Sequence, residues 1–131
     1  MNDHVSTHQA EEDARNDQIL IWVDGALKPK AQAVVSVYDS GFMLGDGVWE
    51  GVRLYNGKWT FLDEHIDRLF EAAKAIDLDI ARTKDQVIAA ILETQAANQM
   101  TTDAHARLMV TRGVKTRPFQ HPKLTLQGPT M

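Results

Sequence analysis

Four arginines in this sequence lie beside glycine-rich or irregular stretches: Arg53, Arg68, Arg107 and Arg117. A guanidinium group binds phosphate or carboxylate through paired hydrogen bonds of fixed geometry. Arg68 also follows closely after the start of a predicted helix, where backbone N–H groups and the helix dipole favour negative charge. These residue types therefore indicate a site for an anionic ligand.

Each arginine also has a simpler interpretation as a surface residue. Arg68 can pair along its helix with Glu64 or Glu71, which lie four residues before it and three residues after it. Arg107 alternates with apolar residues along a predicted strand, which is typical of a solvated sheet face. Arg117 lies next to a proline in a predicted loop. The residue pattern alone leaves ligand binding and surface pairing both open.

Other motifs in the sequence limit the kinds of ligand and catalytic site that the chain could form. The run GFMLGDG, residues 41–47, lacks the lysine and threonine of a nucleotide phosphate loop and the spacing of a dinucleotide-binding turn. It suits either a tight reversal between strands or a close approach of the backbone to a ligand. The five histidines offer no metal-ligand spacing outside the N-terminal tail, and no nucleophile elbow occurs. Trp49, beside the glycines, suits a core position or a pocket wall.

Composition sets the broad class. The 131 residues fit one domain, and the absence of cysteine excludes disulfides and thiolate metal sites. The net charge is −4 and the basic residues are scattered, which disfavours a nucleic-acid partner. No apolar run approaches the ~20 residues that span a bilayer. The N-terminus lacks the features of a signal peptide, so we expect a soluble cytoplasmic protein.

Turn signals and hydrophobic periods define the elements that position these residues. Asp24-Gly25 and Asn56-Gly57 each predict a two-residue hairpin turn. We predict strands over residues 18–23, 33–37, 51–55, 58–61, 104–112 and 124–126, and a return strand that begins at residues 26–27 and is limited by Pro29. The apolar spacing predicts helices over 62–78 and 84–98, and Thr83 with Gln86 forms a capping box before the second helix. Residues 113–123 are predicted as a loop.

This order of elements predicts an α+β domain rather than a regularly alternating parallel sheet. We expect a mostly antiparallel sheet with two helices packed on it. Residues 1–16 contain a single large aliphatic residue, Val5, and are predicted to be a disordered tail. The folded domain is predicted over residues 17–131.

The stretch YDSGFMLGDGVWEGVRLYNGKWTFLDEHIDRLFEAAKAIDL, residues 38–78, closely resembles the N-terminal part of the fold-type IV, pyridoxal-phosphate-dependent aminotransferases. The resemblance continues through ARLMVTRGVKTRPFQHP and covers about residues 18–126. It implies the small N-terminal domain of that fold and pyridoxal 5'-phosphate as cofactor. It also implies transamination between an amino acid and a 2-oxo acid, of the D-amino-acid or branched-chain type, in a homodimer.

The resemblance assigns roles to residues of this chain. In the family, the arginine of an H-x-x-R-L helix binds the cofactor phosphate, which implies that role for Arg68 in His65-Ile66-Asp67-Arg68-Leu69. Trp49 matches a pocket position that is usually Tyr or Phe, and Arg53 and Arg107 match positions on the substrate side. Arg117 matches the arginine that traps the substrate carboxylate in D-amino-acid members. The glycine-rich run is expected to pass close to the ligand.

The chain also departs from the family pattern. Phe119 stands where D-amino-acid members have a histidine, and Trp49 replaces the pocket tyrosine, so substrate identity and handedness stay open. The family's Schiff-base lysine is expected beyond residue 131, so no catalytic residue is assigned within the chain. We therefore expect the chain alone to be inactive. An aminodeoxychorismate-lyase-like activity and a non-catalytic interaction module remain as alternatives.

Overall fold

The N-terminal hairpin forms where the sequence predicts it. The structure, a computed structural model, describes residues 12–131. Strands β1 (Leu20–Val23) and β2 (Ala26–Pro29) pair antiparallel, with Val23 opposite Ala26. Asp24 and Gly25 both take positive φ, 50° and 96°, as a two-residue turn between twisted strands requires. This hairpin prediction is confirmed.

The central sheet has three antiparallel strands, which are β3 (Gly47–Tyr55), β4 (Lys58–Trp59) and β5 (Ala104–Thr111). Their spatial order is β4-β3-β5. The predicted Asn56-Gly57 turn joins β3 to β4. Strand β3 begins at Gly47, four residues before the predicted start, because those four residues also pair with β5. The long pairing fixes the register, with Gly51 opposite Arg107 and Arg53 opposite His105.

Two helices cover one face of this sheet. They are α2 (Leu62–Ala75) and α3 (Lys84–Ala97), and the capping box of Thr83 with Gln86 is confirmed. Helix α2 ends three residues before the predicted Leu78, because Asp77 takes a positive φ of 56° and the N–H of Leu78 turns back to Ala73 O. The observed architecture is the predicted α+β fold with a mostly antiparallel sheet.

The core lies between the helices and the inner face of the sheet. Side chains alternate along β3, so that Val48, Val52 and Leu54 are buried while their neighbours are more exposed. The helices contribute the other buried positions, which are Ile66, Leu69, Ala73, Val87, Ala90 and Ile91. The apolar residues that alternate along β3 therefore pack against the apolar stripes of the helices in one core layer. This layer holds β3 against α2.

The glycine-rich run makes a short helix and a close approach to β5. Helix α1 (Ser40–Leu44) is capped by the Asp39 side chain and ends at Gly45, whose φ of 65° is left-handed. At Gly47 a Cβ would lie 2.6 Å from the carbonyl oxygen of Val110. The glycines thus serve chain reversal and strand packing, and the predicted approach to a ligand gains no support from these contacts.

The predicted strand over residues 33–37 is wrong. After β2, a 3-10 turn at Lys30–Gln32 leads the chain away from the hairpin, and residues 33–37 pair with no strand of the described part. The β-branched residues Val34, Val35 and Val37 are largely exposed. Their strand propensity is not realised, because no strand between residues 12 and 131 pairs with them.

The C-terminal residues form a small second ribbon. Strands β6 (Val114–Lys115) and β7 (Thr125–Gln127) pair antiparallel, so the predicted loop over 113–123 begins with a short strand. Of the predicted tail, residues 1–11 lie outside the described part. Residues Ala14–Asn16, predicted as part of the tail, form a 3-10 turn. The guanidinium of Arg15, the middle residue of this turn, donates to the carbonyl oxygens of Thr102 and Asp103.

Across residues 12–131, the helices are all too short or too polar to cross a bilayer.

Candidate functional site

The face of the central sheet that points away from the helices carries most of the predicted site residues. We call this surface the open face and define it by Trp49, Gly51, Arg53, His105, Arg107 and Met109. It arises from the alternation of β3 and β5, whose other residues point into the core. Sequence positions 49 and 107, far apart along the chain, become near neighbours through the β3–β5 pairing.

Trp49 and Arg107 stack on each other at the centre of the open face. The guanidinium carbon of Arg107 lies 4.1 Å from the Trp49 ring centroid, although the Trp49 residue is still 57% exposed. Such cation–π stacking contributes about 0.5–1 kcal/mol at exposed sites. Its larger consequence is orientation, because the stacked guanidinium keeps its N–H edges available to a ligand.

Gly51 makes room for His105. A Cβ at position 51 would lie 2.8 Å from Nε2 of the His105 ring, so the ring rests against the backbone of β3. His105 is paired with Arg53 across the strands and is separated from Arg107 by one residue. The contact between His105 and Gly51 depends on the β3–β5 register, so the sequence alone does not reveal it.

The open face carries positive charge that no acidic residue of the described part neutralises. Among residues 12–131, neither Arg53 nor Arg107 takes part in an ion pair. The register makes the two arginines diagonal neighbours, whose backbones are roughly 7–8 Å apart in antiparallel sheets. The fold thus places Trp49, Arg53 and Arg107 on one face, with the Arg107 guanidinium over the indole of Trp49.

Arg68 lies on the other side of β3 and is held by Glu50. Glu50 follows Trp49 in β3, so its side chain points under α2 and is only 5% exposed. Arg68 donates from Nε to Glu50 Oε1 at 2.5 Å and from Nη2 to Oε2 at 2.9 Å. Nδ1 of His65 lies 2.7 Å from the same Oε2. The structure therefore replaces the predicted pairing with Glu64 or Glu71 by a pairing between α2 and β3.

These contacts keep Glu50 charged. The hydrogen bonds from Arg68, and then from His65, lower the pKa of Glu50 to about 2, although burial of the carboxylate acts in the opposite direction. Glu50 in turn raises the pKa of Arg68. At neutral pH the pair is an ionised, two-pronged salt bridge, which fixes the plane of the guanidinium.

The orientation of Arg68 suits a phosphate. Its Nε–Nη2 edge is bound to Glu50, while Nη1 donates to no atom of the described residues. The Arg68 side chain is 67% exposed, so the remaining edge faces solvent. An arginine fixed on one edge and open on the other fits an anion whose own oxygens match the second edge. The residues present therefore fit the phosphate-binding role that the resemblance implies.

Arg117 stands apart from both groups. It lies in the exposed segment after β6, where its guanidinium carbon is 5.6 Å from the Phe119 ring centroid. The structure thus brings together three of the five predicted site residues on the open face, places Arg68 on the opposite side of β3, and leaves Arg117 in a separate loop. Glu50, which orients Arg68, was missed because its partner is 18 residues away in sequence.

Comparison with known proteins gives one consistent family. The profile described as Amino-transferase class IV matches residues 47–127. The chain is 47% identical over 94 residues to the putative branched-chain-amino-acid aminotransferase of Methanocaldococcus jannaschii, a match that covers 72% of this chain and 32% of that protein. It is 42% identical over 101 residues to a D-alanine aminotransferase of Listeria monocytogenes, a match that covers 77% of this chain and 34% of that protein.

A solved structure agrees in fold. The branched-chain aminotransferase from the thermophilic archaeon Thermoproteus uzoniensis, solved with norvaline, superposes with a TM-score of 0.70 and 29% sequence identity. The match covers 86% of this chain and 38% of that chain. The present chain thus spans about a third of the length of the two curated relatives named above.

Proposed function

Because the chain belongs to the class IV aminotransferase family, we propose that it forms the cofactor-phosphate and substrate-side part of a pyridoxal-phosphate-dependent aminotransferase. The reaction moves an amino group between an amino acid and a 2-oxo acid. Relatives named for branched-chain amino acids and for D-alanine match to a similar extent, so we propose a substrate of one of these two types.

The observation that carries this proposal is the salt bridge of Arg68 with the buried Glu50. It supplies a guanidinium of fixed plane with a solvent-facing edge, which is what phosphate recognition needs. Pyridoxal phosphate, when bound, would supply the electron sink for the reaction. Arg68 would hold the phosphate, Glu50 would hold Arg68, and His65 would keep the second carboxylate oxygen of Glu50 occupied.

On the open face, Trp49, Arg53 and Arg107 would bind the substrate. Both substrates of a transamination carry a carboxylate, which matches two guanidinium groups without acidic partners among the described residues. The indole of Trp49 would cover the apolar part of the substrate and keep Arg107 in place. Arg117 would contribute a further contact to a carboxylate. The resemblance rather than a contact in the fold motivates that last assignment.

The proposal also includes what the chain does not do by itself. Transamination needs a lysine amine at the cofactor, and the open face carries none. On the basis of the family resemblance, we propose that the lysine comes from a segment other than these 131 residues, and that the working enzyme is a cytoplasmic homodimer. In that enzyme the present domain binds and orients, while another segment carries out the bond-making steps.

The phosphate role of Arg68 can be tested by binding two ligands that differ only in the phosphate. Isothermal titration of the chain with pyridoxamine 5'-phosphate and with pyridoxamine isolates the phosphate contribution without forming a bond to lysine. Charge-assisted hydrogen bonds contribute about 1.5–3 kcal/mol, so we expect about ten- to hundred-fold tighter binding of the phosphorylated ligand.

Arg68→Met should abolish this preference, and Arg68→Lys should retain part of it. Arg82→Met is the matched control, because Arg82 lies over Trp22, 5.3 Å from the ring centroid, and takes no part in the site. Circular dichroism of each variant checks that it is folded. Equal affinities for the two ligands in the unaltered chain, or an undiminished preference in Arg68→Met, would contradict the proposal.

A further inference from the structure

Lys115 is a buried lysine that the proposed function does not use. It lies at the end of β6 and is only 2% exposed, which makes it one of the largest fully buried side chains of the described residues. A buried ammonium group is normally paired with a carboxylate, because the loss of hydration is costly. Lys115 forms no ion pair among residues 12–131.

Three neutral oxygen atoms surround the Lys115 ammonium instead. Nζ lies 3.4 Å from the carbonyl oxygen of Gln120, 3.3 Å from that of His121, and 3.3 Å from the hydroxyl oxygen of Thr125. An ammonium has three donors and no acceptor, so these three oxygens match its hydrogen-bonding capacity. Each of these distances is long for a hydrogen bond, so the ammonium interacts with the dipoles of all three oxygens rather than through one short contact.

Two of these oxygens belong to a loop that folds back on Lys115. We call residues 116–124 the 116–124 loop. Its ends are joined by the bond from Thr116 N–H to Leu124 O at 2.9 Å, and Leu124 N–H closes a turn on His121 O at 3.0 Å. Residues 116–123 are exposed, so the loop has no apolar core of its own. The buried contacts of this loop in the described part are therefore those with the Lys115 side chain.

The same loop carries Arg117 and Phe119 in a fixed relation. Phe119 N–H donates to Arg117 O at 2.8 Å, which closes a three-residue turn around Pro118. This turn places the two side chains together, with the Arg117 guanidinium over the Phe119 ring. Since the turn is part of the 116–124 loop, its position depends on whatever holds the loop to β6 and β7.

We propose that Lys115 is a positioning residue whose buried ammonium holds the 116–124 loop and thereby presents Arg117, stacked on Phe119, to a carboxylate ligand. The carboxylate part of this statement rests on the proposed function, whereas the loop part does not. The inference gives Phe119 a purpose as well. The aromatic ring stacks against the flat face of the guanidinium, so that the N–H groups at the edges of the guanidinium point away from the ring.

The absence of cysteine allows a direct test of the ammonium. Lys115→Cys creates the only thiol of the chain. Alkylation of the unfolded variant with 2-bromoethylamine restores an ammonium at the length of lysine, while alkylation with 1-bromopropane gives a neutral side chain of matched shape. After refolding, hydrogen exchange by NMR at the amides of Thr116 and Leu124 reports loop order. The amides of Val52 and Val110, buried in the core, are the control.

We expect the propyl form to exchange about ten- to hundred-fold faster at the two loop amides, because the carbonyl oxygens of Gln120 and His121 lose a charged donor. The core amides should keep their protection, and the aminoethyl form should exchange at the original rate. The upfield ring-current shift that Phe119 imposes on the Arg117 side chain should disappear in the propyl form and return in the aminoethyl form. Phe119→Leu, which removes the ring, gives the reference for its complete loss.

Two results would overturn the inference. One is an equal rate of hydrogen exchange at the Thr116 and Leu124 amides in the propyl and aminoethyl forms, which would show that the shape of the side chain and not its charge orders the loop. The other is restored loop exchange without restored ring-current shift, which would separate loop order from the presentation of Arg117. No cofactor enters these measurements. A failure of the phosphate test at Arg68 therefore leaves the loop result intact, and a failed loop result leaves the phosphate test intact.

Discussion

Replacement of Glu50 by glutamine tests the central feature of the site, the fixed guanidinium of Arg68. Glu50→Gln keeps the shape of the side chain and removes its charge. The variant therefore loses the charge-assisted bonds from Arg68 and His65 while the packing under α2 stays the same. Any change in the free energy of unfolding then reports the electrostatic contribution of the pair rather than a cavity.

The magnitude follows from the pKa of Glu50. Its fall from the ordinary value of 4.5 to about 2 corresponds to an upper limit of about 3.4 kcal/mol at about 1.4 kcal/mol per pH unit. The Arg68 side chain is 67% exposed, so solvent screens the pair, and we expect about 1–2 kcal/mol at pH 7. Because the pKa is lower in the folded state, this stabilisation is present above pH 4.5 and is lost as pH falls towards 2.

Urea unfolding followed by tryptophan fluorescence measures this difference. With a denaturant slope of about 2 kcal/mol per molar urea, the midpoint at pH 7 should fall by about 0.5–1 M. The difference between the two proteins should shrink between pH 4.5 and pH 2. Glu71→Gln is the matched control, because Glu71 is exposed on the same helix and forms no ion pair within residues 12–131. An unchanged midpoint for Glu50→Gln, or an unchanged acid dependence, would refute the reasoning.

Three further predictions concern packing, a second ion pair and activity. Gly47→Ala should lower the free energy of unfolding by about 1–3 kcal/mol, because the new Cβ would clash with the carbonyl oxygen of Val110. The loss would appear as a lower urea midpoint, and an unchanged midpoint would contradict the close approach. Arg112→Met should lower the free energy of unfolding by about 2–4 kcal/mol, since it breaks a largely buried ion pair with Asp46. Lys84→Met breaks an exposed ion pair with Asp67 and should lower the free energy of unfolding by about 0–1 kcal/mol. Equal losses in the two variants would contradict this ranking. The chain alone should show no transamination of pyruvate in a coupled assay, because the open face carries no lysine; measurable turnover would contradict that expectation.

The parts of the fold that were predictable are those with local causes. Asp24-Gly25 and Asn56-Gly57 determine their turns through backbone preferences of the two residues themselves. The capping box at Thr83 depends on a side chain three residues away. The failure at residues 33–37 has a different origin, because a strand exists only where a neighbour pairs with it. No property of those five residues reveals that, in the part of the chain that the structure describes, no strand pairs with them.

The candidate site also has parts that could be predicted from the sequence and parts that could not. Arg68, Trp49, Arg53 and Arg107 could be named from family motifs. Alternation along β3 and β5 predicts which residues share a face. Their partners could not be named. Glu50 and Arg68 meet only because α2 packs on β3, and Lys115 meets its three oxygens only because the loop after it folds back. Charges with distant partners are the part that sequence reasoning left out.

Strand β3 links the two halves of the candidate site through neighbouring residues. Trp49 and Glu50 are adjacent, and the pleat sends their side chains to opposite faces of the sheet. The anchor of the phosphate arginine and the wall of the substrate face are therefore joined by one peptide unit, in a strand fixed by β5 on one side and by the core beneath it. A register shift of one residue would exchange the two faces, burying the indole and exposing the carboxylate. The close approach at Gly47 and the contact of Gly51 with His105 both oppose such a shift. This accounts for the glycines before and within β3 in terms of register rather than ligand contact.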